Sequence, residues 1–186
     1  MKFQNIDKAR YRKHLNIVIA ISIICFATLS LAISQGLIFF LTDREGSHFW
    51  LNVAGVAISM VIVGSILKKK SQHPFMHEVT YVYLLKHQIN LITRKLRAIE
   101  AAKDDGNINA CIILTYYYEA CYQLYNLDDN TITINELVLK QNRLKDFLAE
   151  RHIDAKAETY SQEMLTEFWA WTDLFSNNLL VTMLFQ

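Results

Sequence analysis

Two uncharged apolar runs limit what this chain can be more than any other feature. Leu15 to Leu41 holds 27 residues without a charge, and Phe49 to Leu67 holds 19. A helix needs about 20 such residues to cross a hydrocarbon core of roughly 30 Å. Both runs meet that length, and they carry the excess apolar content of a chain that is 52% hydrophobic. Four basic residues (Lys8, Arg10, Arg12, Lys13) precede the first run, as in a signal peptide. A signal h-region is only about 7–15 residues, however, and no A-x-A site closes this run, so it reads as a retained membrane helix.

Charge sets the direction. The tail over residues 1–14 carries five Lys/Arg against Asp7, and Lys68, Lys69 and Lys70 flank the far end of the second run. The connector "TDREGSH" has one basic residue, Arg44, between two acids. The side richer in Lys/Arg is cytoplasmic. The expectation is a multi-pass protein of the bacterial inner membrane, with a hairpin over 15–70 (spans about 15–41 and 49–67) and N- and C-termini cytoplasmic. Arg10, Arg12, Lys13 and the lysine triplet form a basic collar suited to anionic lipid headgroups. Ala32-x-x-x-Gly36 and Gly55-x-x-x-Ser59 are small-residue pairs that let helices approach closely, and packing within the hairpin suffices to explain them.

The remainder, 71–186, has one proline and one glycine, a composition that argues for helices throughout. The fold class is therefore all-α: a two-helix transmembrane hairpin followed by a cytoplasmic bundle of about four helices. The first is a long helix over roughly 75–103, with Val82, Leu85, Ile89, Ile92, Leu96 and Ile99 as one seam and Gly106 as its C′ residue. A second covers about 108–126. Thr133 with Glu136 forms a capping box for a third over 134–150. A fourth runs from about Ala155 to at least Phe175, with Tyr160, Met164, Phe168, Trp171 and Phe175 on one face. The final "NNLLVTMLFQ" is expected to dock on the domain or on the membrane surface. From Ser71 onward ten Lys/Arg face fifteen Asp/Glu. That acidic balance speaks against nucleic acid as a partner. The acidic fourth helix could instead pair with the basic patch Lys86, Arg94, Lys95 and Arg97.

Chemistry-bearing patterns are sparse. His73 and His77 lie four apart, but His73 precedes Pro74 and no third ligand follows, so they are weak metal candidates. The acidic loops lack the glycine and glutamate of a calcium loop, and no cofactor is expected. Cys25, Cys111 and Cys121 match no zinc or redox spacing and read as packing residues. In "TYYYEACYQLY", Glu119 among tyrosines could be a buried general base. Helical spacing instead puts Thr115, Glu119, Gln123 and Asn126 on one polar stripe facing water. Leu114, Tyr118, Cys121 and Tyr125 then form one buried face, and Ile113, Tyr117, Ala120 and Leu124 the face beside it.

The stretches "SQGLIFFL", "LNVAGV" and "ILTYYYEACYQLYNLDDNT" resemble a family of small two-span gammaproteobacterial inner-membrane proteins that carries a domain of unknown function. The resemblance covers nearly the whole chain. It implies a bacterial inner-membrane setting and brings no activity or catalytic residue with it. The leading expectation is a membrane-anchored interaction module, an adaptor or accessory subunit with a protein partner. The alternative is a homo-oligomeric pore or stress effector assembling through its spans, and a membrane-bound enzyme is the third.

Overall fold

The computed structural model describes residues 3–42, 46–130 and 132–168. Among them every regular element is helical: α1 (Lys8–Leu41), α2 (Phe49–Lys70), α3 (His77–Thr93), α4 (Leu96–Asp104), α5 (Ile108–Asp128) and α6 (Ile134–Glu150), with short 3₁₀ turns at Pro74–Met76, Ala157–Thr159 and Gln162–Phe168. They form two compact units. One is the hairpin, Asp7–Thr80; the other joins the described part of the first six residues to Tyr81 and beyond.

In the hairpin, α1 packs along α2. Both helices are long and apolar enough to cross a membrane. At about 1.5 Å per residue α1 spans roughly 50 Å, so its first turns extend past a hydrocarbon core. Residues 8–14 are therefore helical, with Asp7 as N-cap accepting from the Arg10 amide. Few residues of either helix are buried: Tyr11 and Ser34 in α1, Gly55 and Ser59 in α2. Ile23, Ile24, Leu31, Met60 and Val61 are exposed. At the connector end, Phe39, Phe40, Phe49 and Trp50 are exposed together and pair edge to face within each helix. At the opposite end, Lys68, Lys69 and Lys70 close the last turn of α2, where positive charge complements the helix dipole.

In the second unit α5 is central, packing against α4, α6 and both C-terminal 3₁₀ turns. Its Asn107 cap accepts from the Ala110 amide. Just before it, Gly106 (φ +85°) ends α4 in a Schellman arrangement: the Gly106 amide donates to Lys103 O and the Asn107 amide to Ala102 O. Both faces assigned to α5 are largely buried, Tyr117 and Tyr125 partly so, and Tyr116 lies wholly inside as well.

Three local expectations change. The single helix over 75–103 is broken at Arg94–Lys95, where the Lys95 amide tightens onto Ile92 O and Lys95 leaves helical geometry (φ −116°, ψ 9°). The break re-aims the seam, so that Ile92 and Ile99 on either side are both fully buried. The capping box is not made: Thr133 offers no side-chain cap, and Glu136 pairs with Lys140 at 2.9 Å. The fourth helix is not α-helical through its described part. Three-residue periodicity brings Ala157 and Tyr160 inward, with Leu165 beyond them, while Met164 is only half-buried. Trp171, Phe175 and the final apolar segment lie outside the described residues. Of the charges expected to pair between the basic patch and the fourth segment, Lys86 binds Asp128 at 2.9 Å, Asp154 binds Lys156, and Glu167 accepts from Asn107 and Asn109.

Candidate functional site

The open face of α5 carries a recess. Thr115 and Glu119 stand on one wall, α6 supplies Gln141, Leu144, Lys145 and Leu148, and the segment 155–158 closes the other side around a cavity of about 450 Å³. That volume is within the usual range for a bound ligand, roughly 300–1,000 Å³. The floor is apolar, with Leu144, Leu148 and Ala157 buried. The rim carries both signs of charge: Glu119 and Glu158 against Lys145 and Lys156. The polar stripe thus does more than face water. Thr115 donates to Cys111 O and is half-buried, as are Glu119 and Gln123; only Asn126 is fully exposed. Burial raises the Glu119 carboxyl above the ordinary carboxylate value, Lys145 works against that rise, and Glu158 adds to it. The recess therefore offers an apolar floor, a carboxyl whose charged form is disfavoured, and ammonium groups at its edge.

A smaller hollow of about 140 Å³ lies on the neighbouring face of α5, lined by Glu100, Tyr118, Cys121 and Lys140 among others. Burial pushes the Cys121 thiol up to about 11, so it stays protonated and unreactive. The Tyr117 phenol is raised to about 12, again chiefly by burial, and keeps its proton.

In the hairpin unit the notable group is Glu78, a buried carboxylate on the first turn of α3. Arg10 Nε lies 2.9 Å from one oxygen and His14 Nδ1 3.3 Å from the other, with the His14 ring 4.1 Å from that of Phe75. Burial alone would raise this carboxyl, but its backbone hydrogen bond, Arg10 and His14 together hold it below the ordinary value. One member of the basic collar, Arg10, is thus engaged with an acid of its own chain.

The remaining sequence-selected residues fall as follows. His73 caps the Pro74–Met76 turn, its Nδ1 accepting from the Phe75 amide, and both His73 and His77 are exposed. Among the described residues no group of three or more His, Cys, Asp or Glu is placed to hold a metal. Gly55 and Ser59 sit in the α1–α2 contact. A β-carbon on Gly55 would run into Ser34 Oγ and come within 2.9 Å of the Ser34 nitrogen. Ala32 is exposed and Gly36 has open space around its Cα, so on α1 the close approach is made by Ser34. Sequence reasoning also passed over Phe3, Gln4, Tyr81 and Tyr116. Phe3 stacks on Tyr116, and the Gln4 main chain is bonded by Tyr81 and Gln123.

The family model described as "Protein of unknown function (DUF3087)" matches residues 1–165. The chain belongs to that family. No curated protein and no solved structure matches it.

Proposed function

We propose that this chain is a membrane-anchored interaction module of the bacterial inner membrane: an adaptor whose hairpin tethers a cytoplasmic helical domain. The domain would receive a segment of a partner protein in the recess beside Glu119. The observation that carries the preference over a pore is the fate of the small-residue faces. Gly55 and Ser59, which an assembling span would turn toward other copies, are buried against α1 of the same hairpin. The recess, with its apolar floor and rim of both charges, suits a peptide segment carrying an apolar side chain and flanking charges.

The topology has support beyond the Lys/Arg asymmetry. Phe3 to Ile6 pack within the unit that begins at Tyr81, while α1 and α2 lie between them in sequence. That packing supports a tail and a domain on one side, the arrangement that an even number of crossings gives. The exposed aromatic cluster at the connector end fits the interfacial belt of a membrane protein.

Stoichiometry after mild detergent extraction tests the reading. We expect one copy of the chain together with a second protein, and recovery of that protein should fall sharply in Lys145→Glu while the chain itself melts as before. A ring of this chain alone, insensitive to Lys145→Glu, would favour the pore.

A further inference from the structure

The N-terminal segment is held by a set of contacts that resembles ligand recognition more than tail packing. Three hydrogen bonds close a ring around Gln4. Its amide donates to Tyr81 Oη at 3.1 Å, the Tyr81 hydroxyl donates to Gln123 Oε1 at 2.7 Å, and Gln123 Nε2 donates to Gln4 O at 2.6 Å. Each side-chain group acts once as donor and once as acceptor, which fixes the orientation of the Gln123 amide, because a carbonyl oxygen can only accept. Hydrogen bonds joined in this way reinforce one another. Both main-chain polar groups of Gln4 are thereby used, while the residue itself is exposed.

Next to this ring, Phe3 stacks on Tyr116 at 5.3 Å, and Tyr116 stacks on Tyr160 at 4.1 Å. Tyr116 is fully buried with its hydroxyl unbonded, so its ring serves as a platform and nothing else. Tyr81, Tyr116 and Gln123 come from α3 and α5, whose burial fixes them in place. They recognise an aromatic ring and the main-chain N–H and C=O of the residue after it.

We propose that Tyr81, Tyr116 and Gln123 form a peptide-recognition site for an aromatic residue followed by any residue, and that its resident ligand is the chain's own Phe3–Gln4, held in cis. Three residues after Gln4, Asp7 caps α1. The ligand is thus joined to the first apolar helix by Asn5 and Ile6 alone, and the site stays filled as long as that tether is intact. The inference stands apart from the adaptor reading, since none of Tyr81, Tyr116 and Gln123 lines the recess at Glu119.

The test uses a synthetic peptide of residues 1–6 with a C-terminal fluorophore, added to the detergent-solubilised chain. A chain beginning at Asp7 should bind it saturably, and the intact chain at least about tenfold more weakly because the site is occupied. Phe3→Ala in the peptide should weaken binding by about tenfold or more through loss of the stacked ring. Gln4→Ala should change it by less than about twofold, because only main-chain groups are read. Equal binding by intact and shortened chains, or a Gln4→Ala loss matching that of Phe3→Ala, would overturn the proposal. So would absence of binding to a shortened chain that melts like the intact one. Should the shortened chain fail to fold, hydrogen exchange on the intact chain decides. The Gln4 amide should be protected, and the protection should vanish in Phe3→Ala and in Gln123→Leu. An unprotected Gln4 amide contradicts the site, and protection that disappears on dilution to monomer assigns the segment to a second copy instead of the same chain.

Discussion

The hairpin and the helical domain are built from the same helix type with opposite polarity. In the domain, α3 to α5 bury Leu85, Leu91, Ile92, Ile99, Ile113 and Tyr116 and turn Lys86 and Asp128 outward. In the hairpin the buried positions include Ser34, Gly55 and Ser59, while Ile23, Leu31, Phe40, Trp50 and Val61 face out. Ser59 donates back to Gly55 O at 2.7 Å, so its hydroxyl is satisfied inside the helix and asks nothing of the surroundings. The two patterns are those expected of packing in two different solvents. In water burial of apolar area drives packing, whereas between lipid-facing helices that drive is absent and close backbone approach takes its place.

Truncating large side chains should expose this contrast most strongly. Tyr116→Ala removes a fully buried ring between two others. It should cost about 3–5 kcal/mol, seen as a large drop in the melting temperature of the detergent-solubilised chain. Phe40→Ala removes a ring of similar size that is 82% exposed and should leave melting near wild type. Equal losses would mean that the hairpin surface is covered by protein.

Small-to-large changes invert the pattern. Gly55→Leu drives a side chain into Ser34 and should destabilise the α1–α2 pair by about 1–3 kcal/mol, measured as faster proteolysis at the connector. A β-carbon at Gly36 meets nothing within 4 Å, and Gly36→Leu should be tolerated. A Gly36→Leu chain that extracts as a smaller species would instead show that this outward face binds another copy.

The smallest effects belong to the buried carboxyl Glu78 and the half-buried Glu119, and their signs oppose. Glu78 is held below its ordinary value of 4.5. It contributes stability that is present above pH 4.5 and is lost as pH falls through the lowered value. Glu78→Gln should therefore melt lower than wild type at pH 7, the gap closing in acid. Glu119 is raised above 4.5, so its contribution is complete below pH 4.5 and is lost as pH rises through the raised value. Glu119→Gln should melt slightly higher than wild type at pH 7 and equal to it in acid. Melting curves of the two variants across pH 3.5–8 that shift in the same direction would contradict these environments.

Legibility in the sequence followed the same division. Length and lack of charge mark the apolar stretches of α1 and α2, whereas the charged first turns of α1 over residues 8–14 carry no such signal. The start of α5 was equally plain, since Gly106 is the residue type that a Schellman end requires, whereas its end lies two residues beyond the expected Asn126, at Asp128. The break at Arg94–Lys95 has no glycine or proline to announce it; packing on both sides imposes it. The segment from Ala157 misled because apolar residues three or four apart fit a 3₁₀ turn as well as an α-helix. The recess at Glu119 draws on positions 115 to 158, which only folding brings together. The Gln4 contacts are made to main chain, and main chain leaves no mark in a sequence.

The central claim, a hairpin crossing the membrane twice with tail and domain on its inner side, is tested most directly by thiol labelling in spheroplasts. Single substitutions Ser47→Cys in the connector and Lys156→Cys in the domain would be treated with a membrane-impermeant maleimide, with the wild-type chain as baseline because Cys111 and Cys121 are buried and Cys25 lies within α1. Ser47→Cys should label in intact spheroplasts, and Lys156→Cys only after lysis. Labelling of Lys156→Cys before lysis, or of Ser47→Cys only after it, would contradict the account.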